Sequence, residues 1–181
     1  RSECIDQMRH GRVFFMGDAA KVVSPFGARG GNTGIADADN LAWKLAAVLQ
    51  GRAAPELLDS YHQERHEAAT QNVRVTNRTA RFLRPADGME RVFRDAAIGL
   101  AREHLFARQF VNTGRMAVAN TYTRSSLCQT TGGLSVQNAA FTWADGNAGV
   151  VNDLLQWAGG QLLLLVFGRL SRQDMQHLKA L

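Results

Sequence analysis

The stretch Gly11–Leu45, GRVFFMGDAAKVVSPFGARGGNTGIADADNLAWKL, decides how the chain reads. It opens with a short run, Val13 to Met16, whose β-branched and aromatic residues suit a strand. A turn follows at Gly17 and Asp18. A loop from Ser24 to Asn32 is punctuated by Pro25, Gly27, Gly30 and Gly31, and a long amphipathic helix comes after it. This order builds an anion-friendly pocket. The strand delivers the Asp18 carboxylate to its end. Glycines carry no Cβ, so a flat ligand can approach bare backbone. The helix then turns its partially positive N-terminus toward whatever sits there.

Outward from this stretch, the 181 residues are enough for one domain, or one and a half. A hydrophobic share of 45% and a charged share of 20% are ordinary for a globular chain. No run approaches the roughly 20 apolar residues of a membrane span. The longest, Leu162 to Phe167, has strand length. The N-terminal RSECIDQMRHGR carries neither a secretion pattern nor an initiator Met, so we expect a cytoplasmic protein in which Arg1 is internal to a longer chain. Cys4 and Cys128 have no metal or redox spacing. A net charge of +5 raises nucleic acid as a partner. The arginines are dispersed along helical segments from Arg65 to Arg108, however, which reads as solvated helix faces.

The first helix is expected from about Thr33 to Gln50. Ile35, Ala38, Ala42, Leu45, Ala46 and Leu49 give it a buried stripe, and Gly51 stops it. Asp37 and Asp39 read as carboxylates stabilising the helix dipole. Pro55 opens a second helix. Leu58, Tyr61, Ala68 and Ala69 mark its packed side, the polar run Gln63–Glu67 includes its wet side, and Arg84-Pro85 ends it. His62 and His66 have metal-compatible i, i+4 spacing but no evident third ligand, so they read as a solvated face. A third helix is expected from Met89 to about Phe110, with Val92, Phe93, Ala96, Leu100 and Phe106 on its apolar side.

From Asn112 the character changes, and Thr, Ser, Gly, Asn and Gln dominate to Gly149. Asp145-Gly146 is a turn signal. Val150 to Trp157 reads as a short helix or an extended segment. Leu162 to Phe167 reads as a strand buried on both faces. Ser171 then caps a helix from about Arg172 to Leu181.

The central stretch resembles the second flavin-binding motif of the single-component FAD-dependent aromatic hydroxylases, the group of p-hydroxybenzoate and phenol hydroxylases. The Gly-Asp pair, the Pro-x-Gly-x-x-Gly-x-Asn loop and the Asp-Ala-x-Asn-Leu-Ala-Trp-Lys-Leu helix occur in register, and the match is dense from Arg12 to about Tyr61. The resemblance implies an α/β parent fold of the FAD/NAD(P)-binding, aromatic-hydroxylase type. Residues 1–111, mostly helical, would be the C-terminal part of its FAD-binding domain. A weaker likeness, carried by Tyr122, Ser126, Asn138–Gly146 and DLLQWAGGQLLLLVFG, makes 112–181 a linker and the incomplete start of a thioredoxin-like α/β domain. That domain would be structural, because no Cys-x-x-Cys is present.

The resemblance also assigns a cofactor site: Gly17, Asp18, Pro25, Gly27, Gly30, Gly31 and Asn32. Asp18 would contact the ribityl region of FAD. The Gly31 and Asn32 amides would face the N1–C2=O edge of the isoalloxazine, which becomes anionic on reduction. Pro25 would shape the site beside the ring. Lys21 stands where histidine is common and Ser24 where a first proline is common, departures that bear on substrate access and flavin motion. Asn40, Trp43 and Lys44 belong to the signature as helix-packing residues. No catalytic side chain and no metal site is assigned.

By resemblance the parent is a monooxygenase that hydroxylates a phenolic or aromatic substrate with NAD(P)H and O₂. The isolated chain would be inactive, because the Gly-x-Gly-x-x-Gly module for the ADP part of FAD and the substrate sheet would lie in a missing N-terminal half. Alternatives are another flavin oxidoreductase of the same fold, such as an antibiotic-modifying hydroxylase or an epoxidase, or a non-catalytic helical remnant. A homodimer is left open, and neither nucleic acid nor membrane is expected as a partner.

Overall fold

The computed structural model describes residues 2–26, 28–112, 118–128, 133–159, 161–166 and 168–179. The chain divides into two compact units, Arg1–Ser135 and Val136–Leu181.

In the first unit, four two-residue strands frame the glycine turn. β1 (Glu3–Cys4) pairs antiparallel with β4 (Lys21–Val22), and β2 (Arg9–His10) with β3 (Val13–Phe14). Between β3 and β4, Gly17–Ala19 form a single 3₁₀ turn. Gly17 sits at φ +56°, a left-handed conformation that favours glycine. Helix α1 spans Gly30–Leu49, so its first turn is made by the glycines of the loop itself. A 3₁₀ turn at Pro55–Leu58 leads into α2, Asp59–Leu83, which ends before Arg84-Pro85 as the proline requires.

Met8, Ala20, Leu41, Tyr61 and Ala69 form the core, with Phe14, Phe15 and Leu45 packed against it. The Tyr61 hydroxyl donates to the Phe15 carbonyl at 2.7 Å and so ties the end of the strand region to α2. The expected packed side of α2 is inaccessible: Leu58 is 8% exposed, and Tyr61, Ala68 and Ala69 are at 0%.

The stripe expected on α1 is buried only in part: Leu45 packs against the core, but the ends of the stripe face outward. Ile35 and Leu49 are 70% and 82% exposed, whereas Thr33, Asp37, Leu41 and Lys44 face inward. The polar run on α2 is likewise not its wet side, because Glu64 and Arg65 are buried. Charges of opposite sign meet across the two helices, and their mutual pairing lets a polar face go inside.

The third helix is also shorter than expected. α3 ends at Glu103, His104 is extended, and a 3₁₀ turn at Leu105–Ala107 leads into α4, Arg108–Val111. The break turns Ala107 fully inward. Val92, Phe93, Leu100 and Phe106 lie on the surface rather than on a packed side.

The second unit contains a hairpin, β5 (Ala140–Thr142) against β6 (Ala148–Val150), turned at Asp145-Gly146 with Gly146 at φ +89°. Helix α5, Val151–Ala158, follows. The Asp153 carboxylate accepts from the Val150 N–H at 2.8 Å and satisfies one donor at the helix start. The strand expected at Leu162–Phe167 does not form among the described residues: Leu162 and Leu164 are 88% and 64% exposed, and Phe167 lies outside them. A doubly buried strand needs a ladder partner and a cover on both faces, and residues 161–166 have neither among the described residues. Ser171 caps α6, Arg172–Lys179, by accepting from the Asp174 N–H at 3.1 Å.

Candidate flavin site at the glycine turn

The Gly17 turn and the start of α1 lie together. A Cβ on Gly34 would sit 3.6 Å from the Gly17 Cα, so the helix passes close to the turn. The bond that fixes this approach is polar. The Gly17 N–H donates to Asp37 Oδ2 at 2.9 Å. Asp37 is fully buried and therefore does not act as a surface carboxylate on the helix dipole. Its Oδ2 also receives the Lys21 ammonium, and its Oδ1 accepts from Arg65 Nε at 2.7 Å. Lys21 is thus an internal cation bracing the turn.

Arg65 completes the arrangement. Its Nη1 donates to the Tyr122 hydroxyl at 2.6 Å and its Nη2 to the Thr33 carbonyl at 3.3 Å. Burial pulls the Arg65 pKa down, but the Tyr122 phenol and the Asp37 carboxylate outweigh it, and the net shift is upward. At the adjacent position on α2, Glu64 pairs with Lys44 at 2.7 Å and also accepts from Asn40 at 2.6 Å and Ser125 at 2.6 Å. Burial would raise the Glu64 carboxyl, but hydrogen bonds from Lys44, Ser125 and Asn40 hold it below its ordinary value. Burial depresses Lys44. Asn40 and Lys44 are therefore helix-packing residues, as expected, while Trp43 remains 37% exposed.

The groups facing outward from this frame are free to meet a ligand. The Asp18 carboxylate is exposed and makes no hydrogen bond or ion pair among the described residues. α1 has no side-chain cap at its N-terminus. Among the described residues, the N–H groups of Gly30, Gly31 and Asn32 have no acceptor, the first backbone bond there being Thr33 N–H to the Arg29 carbonyl at 2.9 Å. Nothing lies within 4 Å of a Cβ built on Gly31. Pro25 is exposed beside them, with its carbonyl accepting from the Ala28 N–H at 3.2 Å. Gly27 lies outside the described residues. Ala28 adopts φ +52°, a left-handed conformation costly to a side chain with a Cβ. An exposed carboxylate, uncapped first-turn amides and a side-chain-free approach fit a flavin, which presents hydroxyls to the first and an electron-rich ring edge to the second.

Two other features lie away from this turn. An open groove of about 770 Å³ between α2, α3 and α4 shares no lining residue with it. The His62 and His66 rings are 5.1 Å apart and half-buried rather than solvated. His62 Nδ1 accepts from the Met8 N–H at 3.2 Å. Burial, then His66 and His10, lower its pKa from 6.5. Among the described residues no cluster of three metal-binding side chains occurs.

The internal network of Lys21, Asp37, Arg65 and Tyr122 was not read from the sequence. One signal for it was available. Thr33, Asp37 and Lys44 share a helical face with Leu41, and the opposite charges of Glu64 and Arg65 stand at the facing position on α2.

Residues 1–76 match the FAD binding domain family. The tetracenomycin B2 monooxygenase-dioxygenase of Streptomyces olivaceus is 64% identical over 66 residues, which are 36% of this chain and 12% of that protein. Among solved structures, an anhydrotetracycline hydroxylase from Streptomyces rimosus is 30% identical with a TM-score of 0.64, over 83% of this chain and 30% of that one. A Diels-Alderase of pyrroindomycin biosynthesis is 33% identical with a TM-score of 0.62, over 86% of this chain and 30% of that one. The chain thus spans about an eighth of the length of that curated relative and less than a third of each solved structure. These likenesses support an α/β FAD-binding fold, and the match to the FAD binding domain family lies on residues 1–76, which hold the glycine turn and the start of α1.

Proposed function

We propose that this chain supplies the flavin-facing C-terminal part of an FAD-dependent monooxygenase that hydroxylates aromatic small molecules with NAD(P)H and O₂. The observation that carries the reading is the uncapped start of α1 set beside the exposed Asp18 carboxylate on a turn clamped by Asp37. Asp18 would accept hydrogen bonds from ribityl hydroxyls. The amides of Gly30, Gly31 and Asn32, with the helix dipole behind them, would hold the pyrimidine edge and favour its anionic form. Gly17 provides the turn, and Pro25 shapes the approach. When bound, the flavin supplies the oxygen-transfer chemistry. The chain's own part is binding, orientation and fixed electrostatics.

The likeness to putative polyketide hydroxylases of Streptomyces favours polyketides within the substrate class. Residues 1–111 are assigned to the FAD-binding domain, and 112–181 to a linker and the start of a thioredoxin-like domain. The reading is tested by titrating FAD into the chain and into Asp18→Ala. Asp18→Ala should weaken flavin binding with the helical circular dichroism unchanged, and equal affinity would remove Asp18 from the site. The chain alone should show no NAD(P)H-dependent hydroxylation, since it carries only part of the parent's length.

A further inference from the structure

Residues 118–128 contain no helix or strand, yet α2 holds them from Asn120 to Ser126. Gln71 donates to the Thr121 carbonyl at 2.7 Å and accepts from its N–H at 3.2 Å. Glu67 accepts from the N–H groups of Thr123 at 2.9 Å and Arg124 at 3.1 Å. Gln63 accepts from the Ser126 N–H at 2.8 Å, and the buried Ser125 hydroxyl donates to Glu64. Polar side chains at helical steps of three and four on α2 thus grip the backbone of an irregular strap.

Two contacts carry this strap to the flavin side. The Val118 carbonyl accepts from Arg29 Nη2 at 2.9 Å, and Arg29 is the residue at the N-terminus of α1. The Tyr122 hydroxyl accepts from Arg65, which holds Asp37, which in turn holds the Gly17 N–H. Tyr122 is itself fixed from behind. Its N–H donates to the Gly133 carbonyl at 3.0 Å, and Gly133 sits at φ +78°, where an added Cβ would collide with the Tyr122 carbonyl.

We propose that residues 118–128 form a latch on the flavin-binding turn, with Tyr122, Arg65 and Asp37 as positioning residues that set Gly17–Asp18 against the start of α1. Both oxygens of Asp37 are committed, one to Arg65 and one to Gly17 and Lys21, so the carboxylate has one orientation only while Arg65 stays in place. Removing the phenol oxygen leaves a buried guanidinium N–H without its acceptor. The guanidinium re-aims, Asp37 follows, and the Gly17 N–H loses its partner. The strap lies beyond residues 1–76, so control of the turn comes from outside the matched FAD-binding segment. The link to flavin rests on the site reading above.

The test measures amide hydrogen exchange by NMR in the full chain for Tyr122→Phe, Gly133→Ala and Thr123→Val. Thr123→Val breaks a strap contact with Glu67 that is no part of the relay. Tyr122→Phe and Gly133→Ala should speed exchange at Gly17 by about tenfold, with the α1 amides of Leu41 and Lys44 unchanged. Thr123→Val should leave Gly17 as it was. Unchanged exchange at Gly17 in Tyr122→Phe, or equal acceleration at every amide, overturns the latch. FAD titration of the same proteins reads the second link, with severalfold weaker binding expected in Tyr122→Phe and none of that loss in Thr123→Val. If the unaltered chain shows no FAD response, the flavin part of the proposal is overturned, and Gly17 exchange still decides the relay.

Discussion

The α1–α2 interface and the surface of α3 treat charged and apolar residues in opposite ways. Between α1 and α2 the inaccessible side chains include Asp37, Lys44, Glu64 and Arg65. On α3, Val92 and Phe93 are 59% and 62% exposed, and only Ala97 is buried. Both regions carry the three- and four-residue apolar spacing of amphipathic helices. The contrast teaches that such spacing identifies a helix with two unlike faces but does not say which face meets a given neighbour. Between α1 and α2 the charges arrive in complementary sets, so no charge is buried alone. That arrangement also fixes the helix N-terminus relative to the Gly17 turn, which an apolar contact would do with less directional precision.

The contrast breaks if α1–α2 and α3 respond alike to substitution. Asp37→Ala leaves Lys21 and Arg65 buried without their shared partner, so we expect a loss of about 3–5 kcal/mol in urea denaturation. Phe93→Ser on α3 should change stability by less than about 0.5 kcal/mol. Comparable losses would mean that the α3 face is packed in solution. A second comparison lies within the interface. Lys44→Met alone should cost about 3 kcal/mol by stranding Glu64, and Lys44→Met with Glu64→Leu should cost less than the single change. A larger loss in the double variant would show that the ion pair itself is strongly stabilising.

Ala28→Gly sharpens the account at the loop. At φ +52° glycine relieves strain that alanine bears, so the variant should be more stable by about 1 kcal/mol. A destabilised variant would mean that the left-handed conformation is not held in solution. The smallest effect concerns pH. The folded His62 pKa lies below its ordinary 6.5, so the unfolded chain binds the proton more readily. The contribution is therefore complete above pH 6.5 and is lost as pH falls through 6.5 toward the folded value. Urea midpoints should drop between pH 7.5 and 5.5 in the unaltered chain and drop less in His62→Asn.

Features decided by neighbouring residues were legible in the sequence. Pro55 opens the second helical stretch, Arg84-Pro85 ends α2, Asp145-Gly146 turns the hairpin and Ser171 caps α6. Each rests on a local backbone constraint. α1 starts at Gly30, three residues before the Thr33 that the apolar spacing predicts, because the loop glycines themselves form the first helical turn. The proximity of Gly17 to the start of α1 followed from strand, turn and helix order. The clamp that enforces it did not, because its contacts span separations of 16, 28 and 57 residues, which no periodicity within one element encodes.

The central claim is that the turn and the uncapped helix start form one flavin surface, and an amide NMR titration of the chain with FAD tests it most directly. The account predicts that the resonances of Gly17, Asp18, Gly30, Gly31 and Asn32 shift together and saturate at one FAD concentration, while those of α3 stay still. Shifts confined to the exposed apolar residues of α3, or no shift at the turn under excess FAD, would contradict it.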